Sequence, residues 1–143
     1  MGFKISLVLG AGYAAIWVAT SVLSDGVTAI YALTNTAGDP ENGLLVLRDS
    51  SKASCLICHN IASLPDRDQG RIGPALDGVA TRYSEHDLRL RLIDARHINE
   101  KTVMPPYFST ENLFRVGQKW QGKTIYTAQE VEDVLAFLMG LED

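Results

Sequence analysis

Five consecutive residues, Cys55-Leu56-Ile57-Cys58-His59, constrain this chain more than any other stretch. Two cysteines three apart, with histidine directly after the second, is the spacing at which haem is attached covalently to a polypeptide. Each thiol can add to one vinyl group, and the histidine then lies under the iron and offers an imidazole nitrogen. Zinc binding and dithiol redox chemistry compete for the same residues. A closed zinc site needs four Cys or His ligands, usually as two paired clusters. This chain has two cysteines, and its other histidines, His86 and His97, form no second cluster. A thioredoxin-like dithiol would follow a strand in a βαβ pattern, and no such pattern is present. Covalent haem is the expected chemistry, with Cys55 and Cys58 as anchors and His59 as an axial ligand.

Length adds a bound. The chain has 143 residues, which favours one domain. Its net charge of -4 argues against nucleic acid as a partner. Both cysteines fall in the one motif, so none is left for a structural disulfide, and a large apolar cofactor would help a small domain bury enough surface.

Met1-Gly2-Phe3-Lys4 carries one positive charge, and Ile5 to Leu23 is almost wholly apolar or small. That pattern reads as a secretory signal peptide over 1–24, with cleavage after Ser24 or after Ser21. The alternative is a retained membrane anchor, since the run is long enough to span a bilayer. On either reading the domain lies outside the cytoplasm, and the expected location is the periplasm. An extended N-terminal arm is expected over 25–38 and the haem domain over 39–143.

Asp39-Pro40 opens a helix, with Asp39 as cap and proline at the first helical position. Leu44, Leu47 and, weakly, Ser51 fall on one face. Gly43 is either a weak spot in that helix or a point of close packing against another. Residues 61–77 read as loop. Within it the Pro74 carbonyl could accept a hydrogen bond from the second nitrogen of His59, as metal-bound histidines need; an ordinary turn is the alternative. Ser84 caps a second helix whose apolar face includes Leu88, Leu92 and Ala95, with Arg89, Arg91 and Arg96 expected to be mostly solvated. His86 and His97 sit near its ends and read as polar surface.

Thr102-Val103-Met104-Pro105-Pro106-Tyr107 is the second informative stretch. A residue before proline is pushed out of the α region, so Met104 can project its thioether from extended backbone. Haem iron held by His and Met is an electron-transfer pairing of raised potential. Met104 is thus the expected sixth ligand, a flexible core filler being the alternative. Met139 falls on a helix, where packing accounts for it, and Met1 lies in the leader. Trp120 lies in a connection over 112–123; plain packing, or a bond from its indole N–H to a haem propionate, would satisfy it. Thr127-Ala128-Gln129-Glu130 is a capping box for a last helix carrying Val131, Val134, Leu135 and Leu138, stopped by Gly140 and expected to cross the first helix beside the haem. No strand and no repeat is expected.

With both axial positions filled by protein, the iron would be closed to substrate, which points to outer-sphere electron transfer. No Ser/His/Asp set and no glycine-rich phosphate loop suggests another chemistry, so no catalytic residue is assigned. A free-standing electron shuttle and a haem enzyme with an exchangeable sixth ligand are the competing readings.

From Asp25 to Leu141 the chain resembles a branch of the class I cytochromes c: the mono-haem X subunits of SoxAX complexes from bacterial sulfur oxidation. The matching stretches are Gly38-Asp39-Pro40, Cys55 to His59, Ile72-Gly73-Pro74-Ala75-Leu76-Asp77-Gly78-Val79-Ala80 and Asp94-Ala95-Arg96. They continue with Thr102 to Tyr107, Gly122-Lys123-Thr124 and Thr127 to Val134. The Met-Pro-Pro-Tyr loop joined to the Thr-Ala-Gln-Glu-Val-Glu-Asp-Val helix is the specific part. The resemblance implies an all-α class I cytochrome c fold of a few helices around one covalent haem c. It implies attachment at Cys55 and Cys58, axial His59 and Met104, and a Pro74 carbonyl that holds His59. It also implies a SoxA-type dihaem or monohaem partner in a heterodimer, whose own haem carries the catalytic cysteine. The pair would join thiosulfate oxidatively to a cysteine of the SoxYZ carrier. This subunit would accept the electrons and pass them to a soluble cytochrome c.

Overall fold

A computed structural model describes residues 31–142. The expected signal peptide over 1–24, its cleavage sites and the first part of the arm lie outside the described residues. Among the described residues there are helices and turns and no strand.

Helix α1 spans Pro40–Arg48. The Asp39 carboxylate accepts from the backbone N–H groups of Glu41 and Asn42, and Pro40 occupies a first-turn position that needs no amide hydrogen. The helix ends at Arg48, so Ser51 falls in a separate single turn over Ser50–Lys52 rather than on the α1 face. A second tight turn, Cys55–Ile57, follows at once and carries the two-cysteine motif. Helix α2, Val79–Arg82, is one turn long. Helix α3, Glu85–Asp94, begins with a capping box between Ser84 and Asp87. Helix α4, Ala128–Met139, begins with a capping box between Thr127 and Glu130, and Gly140 caps its end.

The α1–α4 crossing is the largest packing contact between elements. It is made close by small residues. A Cβ on Gly43 would sit 2.0 Å from the Asp133 carbonyl oxygen, and one on Gly38 would sit 2.1 Å from that of Glu132. Gly43 therefore marks a backbone-to-backbone approach, which settles the choice its sequence context left open. Leu47, Val131 and Val134, all inaccessible to solvent, fill the crossing, as the apolar period of α4 requires.

Two buried carboxylates lock the crossing. Asp133 accepts from the Asp39 amide at 2.9 Å, Asn42 Nδ2 at 2.7 Å and Gln129 Nε2 at 2.8 Å. Burial opposes ionisation of Asp133, but these donors outweigh it and hold the carboxyl below its ordinary value. Glu132 accepts from the Leu33 amide at 2.9 Å and from Arg89 on α3 at 2.9–3.3 Å. Arg89 is only 6% exposed, not solvated as its place among other arginines suggests. Paired with Glu132 and Glu85, it joins α3 to α4, while Arg91 and Arg96 stay half-buried.

Replacing Gly43 with alanine forces α1 and α4 apart, a strain of overpacking of about 1–3 kcal/mol. A Cβ on Gly117 meets nothing within 4 Å. Urea titration of the two variants should show a clear loss for Gly43→Ala and, for Gly117→Ala, a change within about 0.5 kcal/mol.

Candidate functional site

Cys55, Cys58, His59, Pro74 and Met104 all line one cleft of about 580 Å³. That volume lies within the range of about 300–1,000 Å³ common to ligand and cofactor pockets. Leu76, Val79, Leu88, Leu92 and Leu138 supply much of the apolar wall. Residues from α2, α3, the end of α4 and the loop through Met104 thus converge on the two-cysteine turn.

His59 is placed by backbone geometry. The Cys55–Ile57 turn is capped by Ser54, whose hydroxyl accepts from the Leu56 amide and donates to the Leu47 carbonyl at 2.9 Å. The end of α1 thereby fixes the turn. His59 Nδ1 lies 2.7 Å from the Pro74 carbonyl oxygen. A carbonyl can only accept, so Nδ1 carries the hydrogen and Nε2 keeps its lone pair free for a metal. The intervening loop is pinned twice: the Gly70 amide donates to the Leu56 carbonyl at 2.7 Å and the Gly73 amide to the Cys58 carbonyl at 2.8 Å. Gly73 backs directly onto the imidazole, where a Cβ would come within 2.3 Å of Cε1. This demand for glycine gave no separate signal in the sequence.

Met104 faces the same cleft from the segment after α3. Its amide is held by the Thr102 hydroxyl at 3.2 Å. Next to it, the amides of Tyr107 and Phe108 donate to the carbonyls of Leu92 and Ile93 on α3, each at 3.2 Å. Met139 instead packs at the edge of the core. Neither His86, His97 nor Trp120 lines the cleft.

Cys55 is buried and Cys58 half-buried, and the two form no disulfide. Burial pushes the Cys55 thiol up from its ordinary value. Two stacked tyrosines, with ring centroids 4.5 Å apart, stand beside its sulfur. Tyr107 Oη is 4.0 Å and Tyr126 Oη 3.9 Å from Sγ. Burial keeps both phenols protonated far beyond neutral pH. Sequence reasoning did not single out Tyr126, whose approach to Cys55 spans 71 residues.

The donor set suits haem rather than a bare ion. Among the described residues no group of three or more His, Cys, Asp or Glu converges as a lone metal would require. One imidazole and one thioether facing an apolar cleft, with two thiols at its wall, match the needs of a covalently held porphyrin.

These features define a c-type cytochrome. The cytochrome c family model matches residues 49–142. Among solved structures, the chain is similar to one described as the crystal structure of SoxXA from P. pantotrophus. The two share 34% identity over 80% of this chain and 89% of that one, with a TM-score of 0.73. No curated protein matches the sequence. The chain belongs to the cytochrome c family, as a SoxX-type class I cytochrome, an all-α electron-transfer protein of covalent haem c. No helix among the described residues is long and apolar enough to cross a membrane.

A methyl group at position 73 must push the His59 ring off the Pro74 carbonyl. Gly73→Ala should lower the fraction of polypeptide carrying haem or broaden its axial ligation, read by haem absorbance per protein mass and by low-temperature electron paramagnetic resonance. Unchanged spectra would show that the imidazole has room to spare.

Proposed function

We propose that this chain is the mono-haem electron-transfer subunit of a SoxAX-type complex, holding one haem c at Cys55 and Cys58 with His59 and Met104 as axial ligands. The supporting observation is the single cleft that brings His59 and Met104 together. Its likeness to SoxXA at 34% identity favours this branch over other c-type cytochromes.

Haem iron supplies reversible one-electron chemistry with no bond to substrate. The residues of the chain set the conditions for it. Cys55 and Cys58 fix the macrocycle to the turn after α1. Pro74 fixes the tautomer and plane of His59, so the imidazole keeps one orientation in both oxidation states. Met104 offers a soft thioether that favours ferrous iron and raises the potential. The leucine and valine wall excludes water. With His59 and Met104 as its ligands, the iron would be closed to substrate, and electrons would pass at the edge of the cleft.

Exposed apolar side chains at that edge include Ile57 at 58%, Ile72 at 71%, Ile98 at 44% and Val103 at 82%. They form the surface against which a SoxA-type cytochrome subunit would seat. That subunit would hold the catalytic centre, coupling thiosulfate to the SoxYZ carrier cysteine. Electrons released there pass through this chain to a soluble cytochrome c. The setting is the periplasm, reached by a signal peptide over 1–24, ahead of an arm over 25–38 and the haem domain over 39–143.

Two measurements test this. Met104→Ala should abolish the methionine–iron charge-transfer absorption of the ferric protein and lower its potential, since a ligand favouring ferrous iron is removed. An unchanged ferric spectrum would exclude Met104 as a ligand. Purification from the native host should yield a complex with a second haem protein, its processed N-terminus visible by mass spectrometry, and haem reduction dependent on thiosulfate and SoxYZ. Elution as a lone monomer that thiosulfate does not reduce would indicate a free shuttle instead.

A further inference from the structure

The Tyr107–Tyr126 pair beside Cys55 is not used by the reading above, and its hydrogen-bond directions can be worked out. Tyr107 Oη lies 3.1 Å from the Ala53 carbonyl oxygen. A carbonyl only accepts, so the single phenolic hydrogen of Tyr107 goes to Ala53. Its oxygen can then only accept from the Cys55 thiol. Tyr126 is 1% exposed, and Cys55 Sγ is the one partner of its hydroxyl among the described residues. In the free thiol the bonds therefore run in one direction. Tyr126 O–H donates to Cys55 sulfur, Cys55 S–H to Tyr107 oxygen, and Tyr107 O–H to the Ala53 carbonyl.

Attachment to haem changes that chain at one link. The S–H bond breaks as the thiol adds across a vinyl group; a C–S and a C–H bond form, with no change of oxidation state. The sulfur is then a thioether, an acceptor with no hydrogen to give. The link from Cys55 to Tyr107 is lost, and only the bond from Tyr126 can persist. Were Tyr126 to turn away, a buried phenol would be left without a partner, which burial away from water penalises.

We infer that Tyr126 is a positioning residue of the haem site, donating its phenolic hydrogen to the thioether sulfur formed at Cys55. This rests on attachment at Cys55 as proposed above. The bond would tie the Cys55 end of the cofactor to the segment just before α4. It also draws electron density from a sulfur joined to the porphyrin rim, and outer hydrogen bonds of this kind are one of the levers on haem potential. Cys58 provides an internal contrast, because no hydrogen bond to its sulfur is found among the described residues.

The test uses the holoprotein. Intact and peptide mass spectrometry first establish haem on Cys55; its absence there overturns both this inference and the proposed attachment. With haem in place, Tyr126→Phe should lower the potential. A roughly threefold fall in the ferrous-to-ferric ratio at fixed ambient potential corresponds to about 30 mV at 59 mV per decade. In the unaltered holoprotein, resonance Raman spectra in D2O should show a shift in the C–S stretch of the Cys55 thioether and none in that of Cys58. A potential unchanged in the folded variant, or a Cys55 mode unmoved in D2O, overturns the inference while leaving the attachment standing. Should Tyr126→Phe fail to fold, the isotope measurement on the unaltered protein decides alone.

Discussion

The close crossing of α1 and α4 is the contact on which the site depends. Two glycines let backbone meet backbone there, and Asp133 closes the gap with three donors drawn from the cap and first turn of α1 and from α4 itself. The cofactor cleft is built at the ends of this pair. The two-cysteine turn follows α1 within a few residues and is tied to its last turn by Ser54. Tyr126 precedes the start of α4, and Leu138, near its end, reaches the cleft wall. A shift at the crossing would move both walls. Asp133 illustrates why a buried carboxylate can serve as a joint: its desolvation is offset by hydrogen bonds, two of which, from Asp39 and Asn42, exist only in the assembled pair.

Arg89 and Glu132 extend the same logic to α3. A buried ion pair contributes little net stability against apolar residues of equal volume, yet losing one partner costs about 3–5 kcal/mol. Its effect here is geometric. Glu132 spends one oxygen on the Leu33 amide and both on Arg89, so a single side chain aligns the segment before α1, α3 and α4. Since Leu88 and Leu92 on α3 line the cleft, the pair helps hold the part of the wall that α3 contributes.

Much of the local architecture was legible because it depends on neighbours in sequence. The caps at Asp39, Ser84 and Thr127 are short-range hydrogen bonds with fixed spacing, and each opens a helix where expected. The motif at Cys55–His59 and the run through Met104 were visible for the same reason. What escaped was long-range. Arg89 looked solvated because its partner lies 43 residues away. Gly43 could not be told from a weak helical position until the Asp133 carbonyl was placed beside it. Gly73 looked like an ordinary loop glycine, since only the folded chain brings the imidazole against it. Helix α2 has no side-chain cap and is one turn long, so it left no periodic signal.

The contrast between the cleft and its edge bears on what kind of electron carrier this is. Inside, much of the wall is aliphatic and the imidazole is held by a backbone carbonyl, an arrangement that fixes the ligand's orientation. Outside, exposed Ile57, Ile72 and Val103 share the rim of the opening with Arg82 and Lys101. A carrier that meets many partners briefly gains from charged rims, which steer encounter and release quickly. Apolar side chains at the rim gain most when they stay covered, because burial of apolar area favours a lasting seat. Ile57, Ile72 and Val103 thus favour a rim that is covered, while the exposed Arg82 and Lys101 on the same cleft suit charge steering.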